Sequence, residues 1–206
     1  MDYEEKSQRL YELALGYFVA IFELLENYET EGKEYTMLLS KPFGLSVLKN
    51  ENLKFKDLPI LSLVRQALEI SIKSLHYALK SKNIETTILN NIEKTHDIIE
   101  LYDSFIKTAS KIDGFASFLA TVITPDMVHA FQEFLLGIGR EDRKSDMFRY
   151  SFDKAGNKLD LKWKLSDVDK YSEDFEASKA YALKVQIHLV NQFLNEVRSF
   201  IYTEID

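Results

Sequence analysis

The sequence predicts an all-α protein, an antiparallel helical bundle that carries one small β-hairpin. Apolar residues recur every three or four positions along most of the chain, which gathers them on one face of a helix. The one clear two-residue alternation falls in residues 148–165. Apolar residues make up 46% of the 206 residues, enough for a substantial core. We therefore interpret residues 1–206 as a single domain with a hairpin elaboration.

The first predicted helix covers residues 2–28, and Gly32 helps to end it. Charged and polar residues occupy much of this segment, and its apolar stripe keeps helical spacing, which indicates an amphipathic helix: Leu10, Leu13, Tyr17, Ile21, Leu24 and Tyr28. Residues 29–56 follow, where Pro42 and Gly44 interrupt any regular pattern and no single element is predicted.

Two helical segments in residues 61–107 form the predicted centre of the bundle. The apolar stripe of the first runs through Leu61, Val64, Leu68, Ile72, Leu75 and Leu79. The second has a similar stripe at Ile88, Ile92, Thr95, Ile99, Tyr102 and Ile106. Asp57 is positioned to cap the first of these helices, and Pro59 stands in its opening turn. We expect the two to lie side by side with every other segment packed on them.

The remaining chain supplies further helices and the hairpin. Thr124, Pro125 and Asp126 together signal a helix start, and we expect that helix to end at Gly137. Helical spacing returns in residues 166–205, with a kink or split expected near residues 172–178. Between them, residues 148–165 alternate apolar and polar side chains on both sides of a glycine-containing turn, as a β-hairpin does.

Composition excludes several classes of protein. The chain has no cysteine, so it offers neither disulfides nor a thiolate site, and its formal net charge of -7 disfavours whole-protein attraction to nucleic acid or an anionic membrane. Its longest apolar run, residues 13–22, is about half the roughly 20 residues of a membrane span. Acidic residues near the N-terminus do not fit a signal peptide. We expect a cytoplasmic protein without a membrane partner.

Residues 65–75 (RQALEISIKSL) and 94–101 (KTHDIIEL) resemble the central helices of HEPN domains. Residues 146–153 (DMFRYSFD) are similar to a segment that some HEPN-like proteins carry after their fourth helix, with Ser151 in place of proline. The resemblance implies an all-α, often dimeric bundle from bacterial toxin-antitoxin and antiviral systems. Members are metal-independent ribonucleases, or nucleotide-binding and scaffolding relatives.

The ribonuclease motif of that family, R-x(4–6)-H, has no match in this chain. The four histidines are His76, His96, His129 and His188, and none has an arginine five to seven positions before it. No P-loop, Rossmann or zinc-protease motif occurs either, so no cofactor and no metal are predicted. His129 and Glu133 share a helical face without a third ligand. Glu69 and Lys73 are interpreted as an ordinary ion pair four residues apart.

Two groups of residues are candidate binding sites. His96 and Asp97 mark the second central helix, where His96 is either a capping or core histidine or a catalytic base. The hairpin carries a local charge of +3, and its basic and aromatic residues either contact phosphates and bases or form an ordinary charged edge. Its candidate residues are Arg149, Tyr150, Lys158, Lys162 and Lys164.

The sequence therefore predicts a non-catalytic HEPN-like protein that binds a partner protein, nucleotide or RNA, and that forms a homodimer. Two alternatives stay open. One is a metal-independent RNA endonuclease in which His96 or His188 meets a distant arginine such as Arg149. The other is a structural adaptor.

Overall fold

The structure, a computed structural model, describes residues 2–31, 58–141 and 175–205. Within these ranges it contains six α-helices and no β-strand: α1 (Tyr3–Glu31), α2 (Leu58–Ser81), α3 (Ile98–Ala109), α4 (Phe115–Thr121), α5 (Pro125–Glu141) and α6 (Phe175–Thr203). A 3₁₀ turn, Leu89–Asn91, lies between α2 and α3. The all-α prediction is confirmed for the described chain, whereas the predicted hairpin at 148–165 and residues 32–57 lie outside it.

Helix α2 is the centre of the molecule. It contacts α1, α3, α5 and α6, and every residue from 71 to 79 is buried. Its most extensive contact is with α1. The sequence had instead predicted that α2 pairs mainly with the next helical segment of the chain, which is α3. The reason is length, because α1 is long enough to run along α2 and α3 has only 12 residues.

Helix α3 is shorter than its apolar stripe predicted. It begins at Ile98, and most of residues 82–97 form turns and irregular chain. Asp97 caps it by accepting hydrogen bonds from the backbone N–H of Ile99 (3.0 Å) and Glu100 (3.2 Å). Ile88 and Ile92 are buried although they lie outside the helix. Their helical spacing therefore reflects turns that place both side chains in the core.

Helix α5 starts as predicted and ends later. The hydroxyl of Thr124 accepts a hydrogen bond from the N–H of Met127 (3.2 Å), and Pro125 is the first helical residue. The expected end at Gly137 is wrong, since the helix continues to Glu141. Gly139 lies where α5 crosses the start of α3, and a Cβ there would sit 2.8 Å from Ile99 Cγ1. Glycine serves close packing at this position.

Helix α6 closes the bundle. It is continuous from Phe175, and the part of the chain in which a kink was expected lies largely outside the described residues. The ring of Phe193 stacks on Phe131 of α5 with centroids 4.3 Å apart, and Phe200 stacks on Phe118 of α4 at 4.7 Å. These ring contacts join the C-terminal part of α6 to the shared hydrophobic core.

None of the described helices combines the length and the apolar character that a membrane crossing requires.

Candidate functional site

Four polar residues meet where α2 passes the start of α3. Arg65, Glu69 and Lys73 follow one another at intervals of four on α2, a spacing that places them on one face of the helix. His96 approaches that face from the turn just before α3. We call Arg65, Glu69, Lys73 and His96 the Glu69 cluster.

The carboxylate of Glu69 is the hub of this cluster. Its Oε2 accepts a hydrogen bond from Arg65 Nη1 at 2.7 Å. Its Oε1 lies 2.9 Å from both Lys73 Nζ and His96 Nδ1. Arg65 also donates, through Nη2, to the backbone carbonyl of His96. The cluster thus ties α2 to the chain that enters α3, and the expected Glu69–Lys73 pair is confirmed as one part of it.

Burial and charge act in opposite directions on Glu69. Burial by itself raises the pKa of a carboxyl group, but the hydrogen bonds and positive charges of Lys73 and Arg65 outweigh it and hold the pKa of Glu69 below its usual 4.5. The side chains of Arg65, Lys73 and Glu69 are only 1%, 7% and 11% exposed. An ionised carboxylate therefore neutralises charge inside the bundle.

His96 is the accessible member of the cluster, with half of its side chain exposed. A carboxylate only accepts hydrogen bonds, so Nδ1 of His96 is the donor to Glu69. In the neutral ring Nε2 then keeps its lone pair, and no residue of the described chain forms a hydrogen bond with it. A carboxylate that orients an imidazole in this way is an arrangement suited to a general base.

Asp97, the other candidate at this position, caps α3 with its side chain. Capping is therefore the role of Asp97, and the ring of His96 binds α2.

His76 is a buried histidine whose role the sequence did not reveal. Its Nε2 lies 2.9 Å from the carbonyl of Leu101, an acceptor, so Nε2 carries the proton. Nδ1 then accepts from the hydroxyl of Thr86, also at 2.9 Å. Desolvation lowers the pKa of His76 to about 4, so the ring is neutral near pH 7. It fastens the turn after α2 to α3.

The two remaining histidines lie elsewhere. Nε2 of the exposed His129 is 3.9 Å from Glu133, and His188 meets the ring of Phe22 at 6.2 Å between centroids. Across the described ranges no group of three or more His, Asp or Glu residues is placed to hold a metal ion.

A second buried arginine joins α1 to α6. Arg198 donates to the hydroxyl of Ser7 (2.8 Å) and to the side-chain oxygen of Gln8 (2.9 Å). Its guanidinium lies over the rings of Tyr11 (4.3 Å) and Tyr202 (4.6 Å). No carboxylate among the described residues forms an ion pair with it. These five residues are the Arg198 cluster, and nothing local in the sequence signals it.

The hairpin candidates Arg149, Tyr150, Lys158, Lys162 and Lys164 lie outside the described residues, and their binding role stays a prediction.

Comparison with protein-family models, with curated proteins and with solved structures gives no significant match for this chain.

Proposed function

We propose that this chain is a non-catalytic HEPN-like protein that acts by binding a partner protein, a nucleotide or RNA. The setting is a bacterial defence or toxin-antitoxin type system, with the protein in the cytoplasm as a homodimer. Support for the family comes from the resemblance of residues 65–75 and 94–101.

One observation carries the preference for binding over catalysis. Cleavage of RNA needs groups that stabilise the negative charge that builds up on the phosphate. The two cations of the Glu69 cluster are Arg65 and Lys73, and both are buried and directed at Glu69. A phosphate that approached the exposed edge of His96 would meet neither of them. The Glu69 cluster is suited to holding α2 and α3 together.

The second candidate is a metal-independent RNA endonuclease. In its favour stands the half-exposed His96 ring, which Glu69 orients through Nδ1. Such an enzyme would need a cation from another source, either Arg149 or a second subunit. The third candidate, a structural adaptor, requires no accessible polar site.

Incubation of the purified protein with total RNA in EDTA separates the first two candidates. We expect no cleavage from the wild type, from His96→Ala or from Arg149→Ala. His129→Ala is the matched control, because His129 is also exposed but lies outside the cluster. Cleavage by the wild type that is lost in His96→Ala and kept in His129→Ala would replace the binding proposal with the enzyme.

Charge reversal tests whether RNA is the ligand. Replacing Lys158, Lys162 and Lys164 by Glu removes the basic residues of the predicted hairpin. The control replaces three exposed lysines of the described chain by Glu, with the same change in net charge: Lys94, Lys107 and Lys111. RNA binding through the hairpin predicts loss of RNA retention in the first variant only. Equal retention in wild type and both variants would instead leave the hairpin a structural element.

A further inference from the structure

The outer face of α1 exposes apolar side chains that no other described helix covers. Leu13 is 51% exposed and Val19 is 56% exposed, the highest values for large apolar residues in the described chain. Gly16 lies between them, and a Cβ built on it would meet nothing within 4 Å. Helix α1 contacts α2 and α6 through its other faces. The helix therefore presents a bare backbone position flanked by two apolar side chains.

This face forms a straight seam along the helix. Its members are Arg9, Glu12, Leu13, Gly16, Val19, Ala20 and Glu23. They form rows at positions 9, 12–13, 16, 19–20 and 23, and successive rows are on average about 3.5 residues apart, the repeat at which two helices stay in contact along their length. Apolar and small residues occupy the middle of the seam, and charged residues stand at both ends.

The seam is complementary to itself when it is reversed. An antiparallel copy related by a two-fold axis at Gly16 pairs residues that are equally distant from Gly16. Leu13 then faces Val19 of the second copy, and Arg9 faces Glu23. Such self-complementarity is what an interface between identical subunits requires, since each patch must fit its own copy. A parallel copy would set like charges against each other.

We propose that α1 is a dimer interface, on which two copies of this chain pair antiparallel across an axis at Gly16. The missing side chain of Gly16 lets the two helices approach closely there, and Leu13 and Val19 lose their exposure to water on both sides. This inference rests on the proposed function in one respect, because the proposed function includes a homodimer. The surface itself is independent of any ligand.

Length sets the strength of this dimer. From Arg9 to Glu23 the seam extends about 21 Å at 1.5 Å per residue. Contacts of that size belong with interfaces of less than about 1,200 Å², which associate weakly. We expect a dissociation constant on the order of micromolar or weaker, so the test must cover a wide range of protein concentration.

Sedimentation velocity on the full chain, with Gly16→Leu as the main variant, is the first test. A leucine at the axis keeps the helices apart, and the dissociation constant should rise by about tenfold or more. The same substitution favours the helix of each subunit, so the midpoint of thermal unfolding should stay equal or rise. Weaker association in a protein that is no less stable cannot be attributed to misfolding. Val122→Glu is the control, because Val122 is 44% exposed on a different helix end and should leave association unchanged.

A charge exchange tests the antiparallel register. Arg9→Glu and Glu23→Arg should each weaken the dimer, because each places like charges across the axis. The double variant Arg9→Glu/Glu23→Arg restores opposite charges and should recover association. Circular dichroism on each variant checks the helix, since Arg9 also pairs with Glu5 at 2.6 Å on its own helix.

Three results would overturn the inference: a wild type that stays monomeric at every concentration, a Gly16→Leu dimer as strong as the wild type, or a double variant as weak as the single ones. None of these readouts involves RNA or another ligand. Failure of the dimer surface is therefore distinguishable from failure of the binding function.

Discussion

Two buried arginines of this protein are accommodated in opposite ways. Arg65, 1% exposed, is paired with the carboxylate of Glu69, which also accepts hydrogen bonds from Lys73 and His96. Arg198, 8% exposed, has a hydroxyl, an amide oxygen and the faces of two tyrosine rings around it. Both arginines connect segments that are far apart in the sequence.

The difference lies in what each arrangement depends on. The Glu69 cluster needs an ionised carboxylate, so it responds to acid and to the loss of one side chain. In the Arg198 cluster the neutral donors, acceptors and ring faces keep their character between about pH 4 and pH 8. The Glu69 cluster also reaches the surface, at His96, and this is why it is the candidate site of the two.

Removal of Glu69 should produce the largest effect. Glu69→Ala leaves Arg65 and Lys73 buried without their carboxylate, and loss of one partner of a buried ion pair costs about 3–5 kcal/mol. We expect a decrease of that size in the free energy of unfolding, measured with urea. Asp113→Ala, on an exposed carboxylate outside both clusters, is the control and should change it by less than about 0.5 kcal/mol. A similar small change in Glu69→Ala would mean that Glu69 does not neutralise buried charge.

Acid should affect His76 first and Glu69 only at lower pH. His76 has a folded-state pKa of about 4 against an ordinary 6.5, so the unfolded chain takes up a proton in that interval and the folded chain does not. Stability should fall by about 3 kcal/mol as the pH decreases from 6.5 to 4. The pKa of Glu69 is lowered, so its contribution is present above 4.5 and is lost only at lower pH.

NMR titration of the imidazole signals checks the first part directly. The His76 ring should stay neutral until about pH 4, whereas a midpoint near 6.5 would contradict its buried, neutral role. Urea unfolding of wild type and Glu69→Gln checks the contribution of Glu69. The difference between their free energies of unfolding should decrease as the pH falls below 4.5.

Replacement of Arg198 should cost less than removal of Glu69. Arg198→Met keeps much of the volume and removes two hydrogen bonds and the cation–π contacts, without leaving a charge unpaired. We expect a loss of about 2 kcal/mol in the free energy of unfolding. The loss should be the same at pH 5 and pH 8, because the hydroxyl and amide partners of Arg198 are neutral. A pH-dependent loss would indicate that a titrating group also supports Arg198.

The smallest effect is expected at Gly139, beside the start of α3. Gly139→Ala places a methyl group 2.8 Å from Ile99 Cγ1, and the neighbouring helices must shift to admit it. Overpacking of this kind costs about 1–2 kcal/mol. Because the strain falls at the α3 start, NMR signals of His96 should change and those of Tyr202 should not. Gly16→Ala, in open space, is the control and should not destabilise the protein.

The candidate site was predictable only in part. The Glu69–Lys73 pair follows from a spacing of four on one helix, and the Thr124 cap from a local motif. The length of α3 was not predictable, because Ile88 and Ile92 have helical spacing and are buried although they lie in turns. Gly137 suggested a helix end, but α5 continues past it to Glu141. Gly139 is explained by the close approach of Ile99, a neighbour that the sequence does not reveal.

By itself, then, the sequence determined the all-α character of the described chain, since helix formation and capping depend on residues within about four positions of one another. The tertiary structure decided which polar residues meet. Arg65 and His96 are separated by 31 positions, and Ser7 and Arg198 by 191. Contacts over such separations depend on how the helices pack, and the spacing of residues along each helix does not contain that information.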